Sequence, residues 1–419
     1  MTPPSAHSPL RRRAALSCLA LAYLGLCIYA AGAPFSISLR EIGGSTASGA
    51  VVLYYLLDWR GARLPRTPLL WAFLAFAAVL VLQTVHTIHP SLSGYALTHA
   101  GYKALLLFAA GMEAIRTRRQ LLALAGVFGL AALVEGSLGT VQWITGVEPL
   151  TGDPLYGSTR LTGTMSTPRV GNWLSMAIPA ALGLWGLLPR SWPSRLRSLV
   201  LALVLVPSVV TLVGSQTRSA WLGTAAALGL LGLLRLGWKK ALGIGLLVLI
   251  LAVSLFPNRF TPEVIRQAPR TEIWATALET FAERPVLGWG LNTFNPAYKQ
   301  LGITLQRSPA DLPHPHNIYL QLLVDGGLLG FLAGLAFLWG AAWWCLRAVR
   351  LPARPPSSPG GEGWLWAAQC FTASYVGYLV TAATAHNLFR TWWLGTAMTI
   401  LGCALAGAWL AREAGERKE

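Results

Sequence analysis

Two histidines alternate with prolines at 313–317, and their type and spacing suit proton transfer. Proline is favoured in the first turn of a helix, so the spacing predicts a helix that begins here, with His316 beside its free N–H groups. The partial positive charge at a helix start lowers the pKa of a histidine, and nearby arginines would lower it further. A neutral imidazole can act as a general base. On these features alone, a histidine that caps the helix or lies at a membrane interface remains the alternative.

The elements that must position this histidine are hydrophobic helices. Of the 419 residues, 54% are hydrophobic and 12% are charged, whereas a soluble domain has roughly 25% charged residues. Most of the recurring apolar runs approach the roughly 20 residues that a helix needs to cross a bilayer. The sequence therefore predicts an all-α polytopic membrane protein of about twelve transmembrane helices. The predicted spans are 14–33, 37–57, 68–86, 95–115, 120–144, 170–188, 198–214, 219–236, 241–256, 325–347, 364–385 and 391–411.

Basic residues indicate on which side of the membrane each loop lies. Seven clusters of three cations occupy every second gap between spans, as the positive-inside rule expects of cytoplasmic loops. The net charge of +17 is thus mainly a topology signal and does not indicate nucleic-acid binding. We expect transmembrane helices one to nine in 1–256, a periplasmic loop with short amphipathic helices in 257–315, and helices ten to twelve in 316–419.

Twelve cations lie outside those clusters, where the topology rule gives no reason for them. They are Arg40, Lys103, Arg160, Arg169, Arg218, Arg259, Arg266, Arg270, Arg284, Lys299, Arg307 and Arg390. Arginine binds phosphate through paired hydrogen bonds and keeps its charge, so this set predicts a phosphate-bearing ligand on the outer side. Asp153 and Asp311 form no paired acidic motif, and the five cysteines lie in apolar runs without metal-ligand spacing. We expect no metal and no cofactor, with arginines in the place of a metal.

Several short motifs surround these residues. The pair His316-Asn317 is followed, after nine residues, by Gly327-Leu-Leu-Gly330. The other motifs are Arg218-Ser-Ala-Trp221, Arg270-Thr-Glu-Ile-Trp274, Arg284-Pro-Val-Leu-Gly-Trp-Gly290, and Arg160-Leu-Thr-Gly163 with Pro168 and Asn172. Together with the hydropathy and the late large loop, they resemble the bacterial O-antigen ligases, part of a superfamily of undecaprenyl-diphosphate-dependent ligases and polymerases. The resemblance covers essentially the whole chain.

This resemblance implies a GT-C-like fold in the bacterial inner membrane, with the active site on the periplasmic side. A glycan would pass from an undecaprenyl-diphosphate donor to a sugar hydroxyl of the lipid A–core, with inversion and without a metal. His316 would deprotonate the acceptor hydroxyl. Arg218 and Arg270 would hold the diphosphate and stabilise charge on the leaving oxygen. The expected partners are these two substrates and membrane lipids.

Other residues are possible members of the site. Arg160 and Arg169 flank a loop rich in Thr and Gly and would bind phosphate or acceptor, with solvated loop charge as the alternative. Arg390, at the outer end of the eleventh span, either serves the site or snorkels to the interface. Asn317 belongs to the histidine motif.

Three further residues have weaker signals. Lys103 lies within a span, where a cation is costly, and is expected either to contact a lipid phosphate or to pair with Glu135. His314 is expected to be a loop residue. His386 could rival His316 but lacks the glycine spacing.

Two other functions stay open. A polymerase of the same superfamily, which extends the glycan on its lipid carrier, would carry the same motifs. A secondary transporter would have internal repeats with helices broken at matching places, and the sequence contains no convincing repeat. A transporter also has no need of an outer loop of nearly 60 residues.

Overall fold

Long apolar helices account for most of the chain. The computed structural model describes residues 9–257, 261, 269–308, 311–350, 361–385 and 387–416. Within these ranges no β-strand forms, and the predicted all-α fold is confirmed. The α-helices are α1 (Pro9–Gly32), α2 (Ile37–Asp58), α3 (Leu69–Val85), α4 (Pro90–Ala96), α5 (Tyr102–Ala114), α6 (Arg118–Thr145), α7 (Arg169–Ala181), α8 (Ser194–Gly214), α9 (Arg218–Leu236), α10 (Trp238–Leu255), α11 (Arg270–Glu283), α12 (Phe294–Gln300), α13 (Ile318–Arg350), α14 (Gly361–Ala382) and α15 (Thr391–Glu416).

Each of the twelve predicted spans coincides with helical structure. A π-helical turn at Leu97–Gly101 joins α4 to α5 across the fourth span, and α7 continues into a 3-10 turn at Leu182–Gly186. Among the described residues, seven helices are long and apolar enough to cross a membrane. These are α1, α6, α8, α9, α10, α13 and α15. The chain is therefore a multi-pass membrane protein, while twelve crossings remain a prediction.

Glycines lie where α2 packs closely against α1. A methyl group at Gly43 would lie 2.4 Å from the backbone nitrogen of Tyr29, and one at Gly25 would lie 2.6 Å from that of Ala47. Small residues at such contacts let membrane helices approach closely. The glycines of α2 therefore allow its close packing against α1.

Lys103 of α5 is buried within the helix bundle. Its ammonium group forms an ion pair with Glu41 of α2, so the predicted pair with Glu135 is wrong. Glu135 instead accepts hydrogen bonds from the backbone N–H and the hydroxyl of Thr164, both at 2.9 Å. Glu41 lies on α2, which packs against α5, and the sequence did not reveal this packing.

The described residues of 269–317, called here the loop unit, pack around a hydrophobic core that they share with α13. Buried members of that core include Ile273 and Ala277 of α11, Phe294 of α12, and Val324 of α13. Helix α11 lies where the sequence predicts short amphipathic helices, and its apolar face covers this core. The shared core fixes the loop unit against α13.

Helix α13 is broken close to its start. Gly327 has φ of +58° and ψ of −158°, so residues 318–326 form a separate half-helix. A methyl group at Gly327 would lie 2.4 Å from the carbonyl oxygen of Val286. Glycine is needed here both for the positive φ and for this close backbone approach.

Residues 285–290 satisfy the backbone groups that the break exposes. The N–H of Leu328 donates to the carbonyl of Pro285 at 2.7 Å, and the N–H of Trp289 donates to the carbonyl of Val324 at 3.0 Å. Within a membrane protein such groups must be satisfied internally. The nine-residue spacing between the histidine motif and the glycines is therefore the length of the half-helix.

Candidate functional site

Asn317 caps the helix that follows His316. Its side-chain oxygen accepts hydrogen bonds from the backbone N–H groups of Tyr319 at 2.9 Å and Leu320 at 3.2 Å, the arrangement of an N-cap. The helix begins at this motif, as predicted, but Pro315 lies before the cap rather than in the first turn. The cap side chain also takes two of the N–H groups that were expected beside His316. Asn317 thus has a structural role in the motif.

The backbone of His316 adopts a left-handed conformation, with φ of +53°. Histidine, asparagine and aspartate are enriched among the non-glycine residues found in this region, and the conformation costs about 1–2 kcal/mol. Such a conformation persists only where the surrounding structure fixes it, often at functional sites. Here the cap at Asn317 fixes the following residue, and buried His314 fixes the chain before it.

Burial and positive charge keep His316 neutral. Burial has the largest effect on the pKa of His316, and the charges of Arg270, Arg169 and Arg390 lower it further, to about 4. A histidine with this pKa is unprotonated at neutral pH and can accept a proton. The direction and the effect of nearby arginines agree with the expectation from sequence, and burial has the largest effect on the pKa of His316.

His314 lies against His316, with ring centroids 4.3 Å apart and ring planes at 86°. It is buried, and its Nδ1 has no hydrogen-bond partner among the described residues. Burial, followed by the proximity of His316, lowers the pKa of His314 to about 3. His314 is a loop residue, as expected, and the structure places it against His316 in the alternating Pro-His-Pro-His segment.

Arg218 and Arg270 each open a helix at the site, α9 and α11 respectively. Burial lowers the pKa of Arg270, and the positive charge of Arg218 lowers it further. The two guanidinium groups are therefore near enough to interact electrostatically, and the charge of Arg270 in turn acts on His316. Helix N-termini carry partial positive charge and bind anions. This pair therefore forms an arrangement suited to an anionic ligand.

The turn that precedes α9 is hydrogen-bonded to Arg160 and to the residue before Arg169. The Nε of Arg160 donates to the carbonyl of Ser215 at 2.9 Å, and its terminal nitrogen donates to the hydroxyl of Thr217 at 3.3 Å. That hydroxyl donates to the carbonyl of Pro168 at 2.9 Å, directly before Arg169. Arg160 therefore anchors the loop, whereas the charge of Arg169 reaches His316.

Other motif residues hold the helices in register. The hydroxyl of Ser219 donates to the side-chain oxygen of Asn172 at 3.0 Å, which links α9 to α7. The Nε1 of Trp221 donates to the carbonyl of Leu212 at 3.2 Å, which links α9 to α8. These bonds give the serine, tryptophan and asparagine of the motifs a packing role.

Within the loop unit, two side chains of the motifs also have a packing role. The carboxylate of Glu272 accepts hydrogen bonds from the backbone N–H of Arg307 and the hydroxyl of Ser308, both at 3.0 Å. The guanidinium of Arg284 lies 4.1 Å from the ring centroid of Trp289. Glu272 thereby fixes the loop 306–308 to the helix that Arg270 opens.

A buried polar network that the sequence did not reveal joins three parts of the site. Asp325 is 1% exposed, and its carboxylate accepts from the N–H of Asn292 at 2.9 Å and the amide of Gln321 at 3.3 Å. The amide of Gln321 donates to Asn387 at 2.9 Å, and Asn387 donates to Asn292 at 2.8 Å. The network connects the half-helix, the loop unit and the segment that leads to Arg390.

Arg390 opens the last helix at the site. Its carbonyl accepts hydrogen bonds from the N–H groups of Trp393 at 3.0 Å and Leu394 at 2.8 Å, in the first turn of α15. Its charge acts on both His314 and His316. His386, the other histidine considered from sequence, lies outside the described residues.

The two acidic residues considered as metal ligands already have partners. Asp153 accepts a hydrogen bond from the hydroxyl of Thr151 at 3.0 Å, and Asp311 pairs with Lys299. Across the described ranges, no group of three or more His, Cys, Asp or Glu side chains is placed to hold a metal ion. The positive charge near His316 comes from arginines, whose planar guanidinium groups suit phosphate or carboxylate.

Known proteins of similar sequence include a ligase. A family model described as O-antigen ligase matches residues 203–335, which contain Arg218, Arg270 and His316. A protein of Pseudomonas aeruginosa named O-antigen ligase is 30% identical over 302 residues, which make up 70% of this chain and 69% of that protein.

Proposed function

Because this chain belongs to the O-antigen ligase family, we propose that it transfers an O-antigen glycan from undecaprenyl diphosphate to a sugar hydroxyl of the lipid A–core. The observation that carries this proposal is the neutral His316, with a pKa of about 4, among Arg169, Arg270 and Arg390. A base beside a cationic site is what attack by a hydroxyl on a diphosphate-activated sugar requires. The site then lies on the periplasmic side of the bacterial inner membrane.

The chemical step is a single displacement at the anomeric carbon. His316 accepts the proton of the acceptor hydroxyl while the hydroxyl oxygen forms a bond to the anomeric carbon. The bond from the carbon to the diphosphate oxygen breaks on the opposite face, and the diphosphate leaves with the electron pair. Attack from the opposite face inverts the anomeric centre, and undecaprenyl diphosphate is released.

The arginines supply the charge that this leaving group needs. Arg218 and Arg270 hold the diphosphate, since they are near enough to interact electrostatically and lie at two helix N-termini. Arg169 and Arg390 add positive charge next to His316. Charge that is already in place stabilises the developing anion without reorganisation. The reaction therefore needs no metal in this account.

Reconstitution with both lipids tests the function. Purified protein in liposomes, given undecaprenyl-diphosphate-linked glycan and lipid A–core in excess EDTA, is expected to form glycan joined to lipid A–core, seen as a mobility shift. If EDTA abolishes product formation and added Mg²⁺ or Mn²⁺ restores it, the role proposed for the arginines is wrong. Longer glycans on the lipid carrier, formed without acceptor, would indicate a polymerase and reject the ligase.

The acidic limb of the pH profile should report His316. We expect kcat/KM for the donor to stay level as pH falls from 7 and to decline with an apparent pKa near 4, because that parameter reports the free enzyme. Above this pKa the imidazole is neutral and can act as a base. Below it the imidazole is protonated, and kcat/KM declines. Bound diphosphate offsets the arginine charge, so the limb of kcat should lie at higher pH. A limb of kcat/KM near the ordinary value of about 6.5 would contradict the cationic environment.

Cysteine labelling tests the proposed sidedness. Gln306 is exposed in the loop unit, and Ser191 is exposed in the connection before α8. A Gln306→Cys variant should react with a membrane-impermeant thiol reagent in intact spheroplasts, whereas Ser191→Cys should react only after lysis. The wild-type protein gives the background from its five native cysteines. The reverse pattern would place the site in the cytoplasm.

A further inference from the structure

A large cavity lies at the opposite end of the helices from His316. Its volume is about 1010 Å³, and it lies between the 3-10 turn after α7 and parts of α8, α9, α10 and α14. Helix α9 begins with Arg218 at the site and carries Arg235, which lines this cavity. At about 1.5 Å per residue, these two arginines are roughly 25 Å apart. The cavity is therefore distinct from the site.

The interior of the cavity is apolar. Leu182, Leu201, Leu228, Leu231 and Ile244 contribute to its walls, and Leu231 is buried. Apolar cavities hold water poorly because water needs several polar partners. A cavity of this size and lining suits hydrocarbon chains.

Arg190, Arg197 and Arg235 also line the cavity. Arg190 and Arg235 are exposed and Arg197 is half-buried, so the cationic part lies at the edge of the apolar interior. The guanidinium of Arg197 lies 4.1 Å from the ring centroid of Trp185, to whose carbonyl it donates at 3.3 Å. The Nε of Arg197 is buried without a hydrogen-bond partner among the described residues.

Arg235 is held in a defined position. Its Nε donates to the side-chain oxygen of Gln369 at 2.5 Å, and its guanidinium lies 5.3 Å from the ring centroid of Trp366. The indole of Trp366 is itself fixed, since its Nε1 donates to the carbonyl of Leu182 at 2.7 Å. Stacked and hydrogen-bonded arginines of this kind are preorganised for phosphate.

We propose that this cavity binds an anionic phospholipid, with its phosphate among the three arginines and its acyl chains against the leucines. An anion offsets the mutual repulsion of these cations, and basic pockets between membrane helices are known sites for such headgroups. A zwitterionic phospholipid would bring an ammonium group to the same arginines and is disfavoured. Free phosphate would leave the apolar interior unfilled. The binding is independent of the transfer reaction and is measured without it.

Native mass spectrometry of the detergent-solubilised protein tests the proposal. After delipidation, the protein is mixed with equal amounts of phosphatidylglycerol and phosphatidylethanolamine. We expect the wild-type chain to retain one phosphatidylglycerol with at least about tenfold preference, which corresponds to about 1.4 kcal/mol. Equal retention of the two lipids would overturn the proposal.

Two variants separate the charge from the apolar interior. Arg190→Gln, Arg197→Gln and Arg235→Gln together should abolish the preference. Leu228→Trp keeps all the cations and should lower retention by filling the interior. The control, with Arg347, Arg350 and Arg412 changed to Gln, should retain the lipid. If the triple variant does not fold, the retention of phosphatidylglycerol by Leu228→Trp tests the proposal instead. Unchanged retention of phosphatidylglycerol in that variant would refute the site.

Discussion

Replacing His316 with alanine is expected to lower the rate of glycan transfer about 10²–10⁴-fold, the range typical of general acid–base catalysis. Without the imidazole, the acceptor hydroxyl has no base in place when its oxygen attacks. Donor binding should stay near normal, because the arginines hold the diphosphate. Alanine must also adopt φ of +53°, at a cost of about 1–2 kcal/mol, so rates are normalised to the folded, membrane-inserted protein.

His99→Ala provides the matched control for this variant. His99 is exposed and stacks on Tyr95, with ring centroids 4.0 Å apart, in the π-helical turn that joins α4 to α5. Its removal should leave transfer unchanged. A His316→Ala variant that transfers glycan at the rate of His99→Ala would show that His316 has no part in the chemistry.

The second large effect is expected from lysine at Arg218 or Arg270. Lysine keeps the charge but loses the planar fork that binds a diphosphate through two hydrogen bonds. A hydrogen bond to a charged group contributes about 1.5–3 kcal/mol, so each variant should lose about 10–150-fold in kcat/KM. The measurement is the initial rate of transfer at subsaturating donor.

Arg307→Lys is the control for both variants. Arg307 belongs to the same loop unit as Arg270 but is exposed, and its backbone N–H rather than its side chain bonds Glu272. It should retain the wild-type rate. Wild-type kcat/KM in both Arg218→Lys and Arg270→Lys would remove these arginines from the donor site.

Charge placement is the part of the site that sequence can predict. Arg169, Arg270 and Arg390 stood out because they lie outside the cytoplasmic clusters, and the structure brings all three near His316. The reason is physical, since arginine on the translocated side of a membrane is disfavoured unless something retains it. The grouping is observed, whereas the role of each arginine is proposed.

Contacts between distant polar residues could not be predicted in the same way. Asp325, Asn292, Gln321 and Asn387 form one buried network, but each is only a polar residue near an apolar run in the sequence. Hydropathy gives the positions of helices and says nothing of which side chains meet across them. For the same reason, the sequence did not reveal that Lys103 pairs with Glu41 rather than with Glu135.

The start of α13 shows a local limit of sequence reasoning. Proline and asparagine are both signals for a helix start, and both occur at 313–317. The asparagine became the cap, which left His316 outside the helix in a left-handed conformation. The sequence predicted that arginines lower the pKa of His316, but it did not reveal the burial that lowers this pKa most.

The most direct measurement of the general-base role is the transfer rate of His316→Asn at saturating donor and acceptor. Asparagine tolerates the left-handed conformation that His316 adopts, and its amide can hydrogen-bond the acceptor hydroxyl but cannot accept a proton at neutral pH. We predict a rate at least about 100-fold below wild type, with donor affinity unchanged. A rate near that of the wild-type protein would contradict the account and leave His316 only a positioning role.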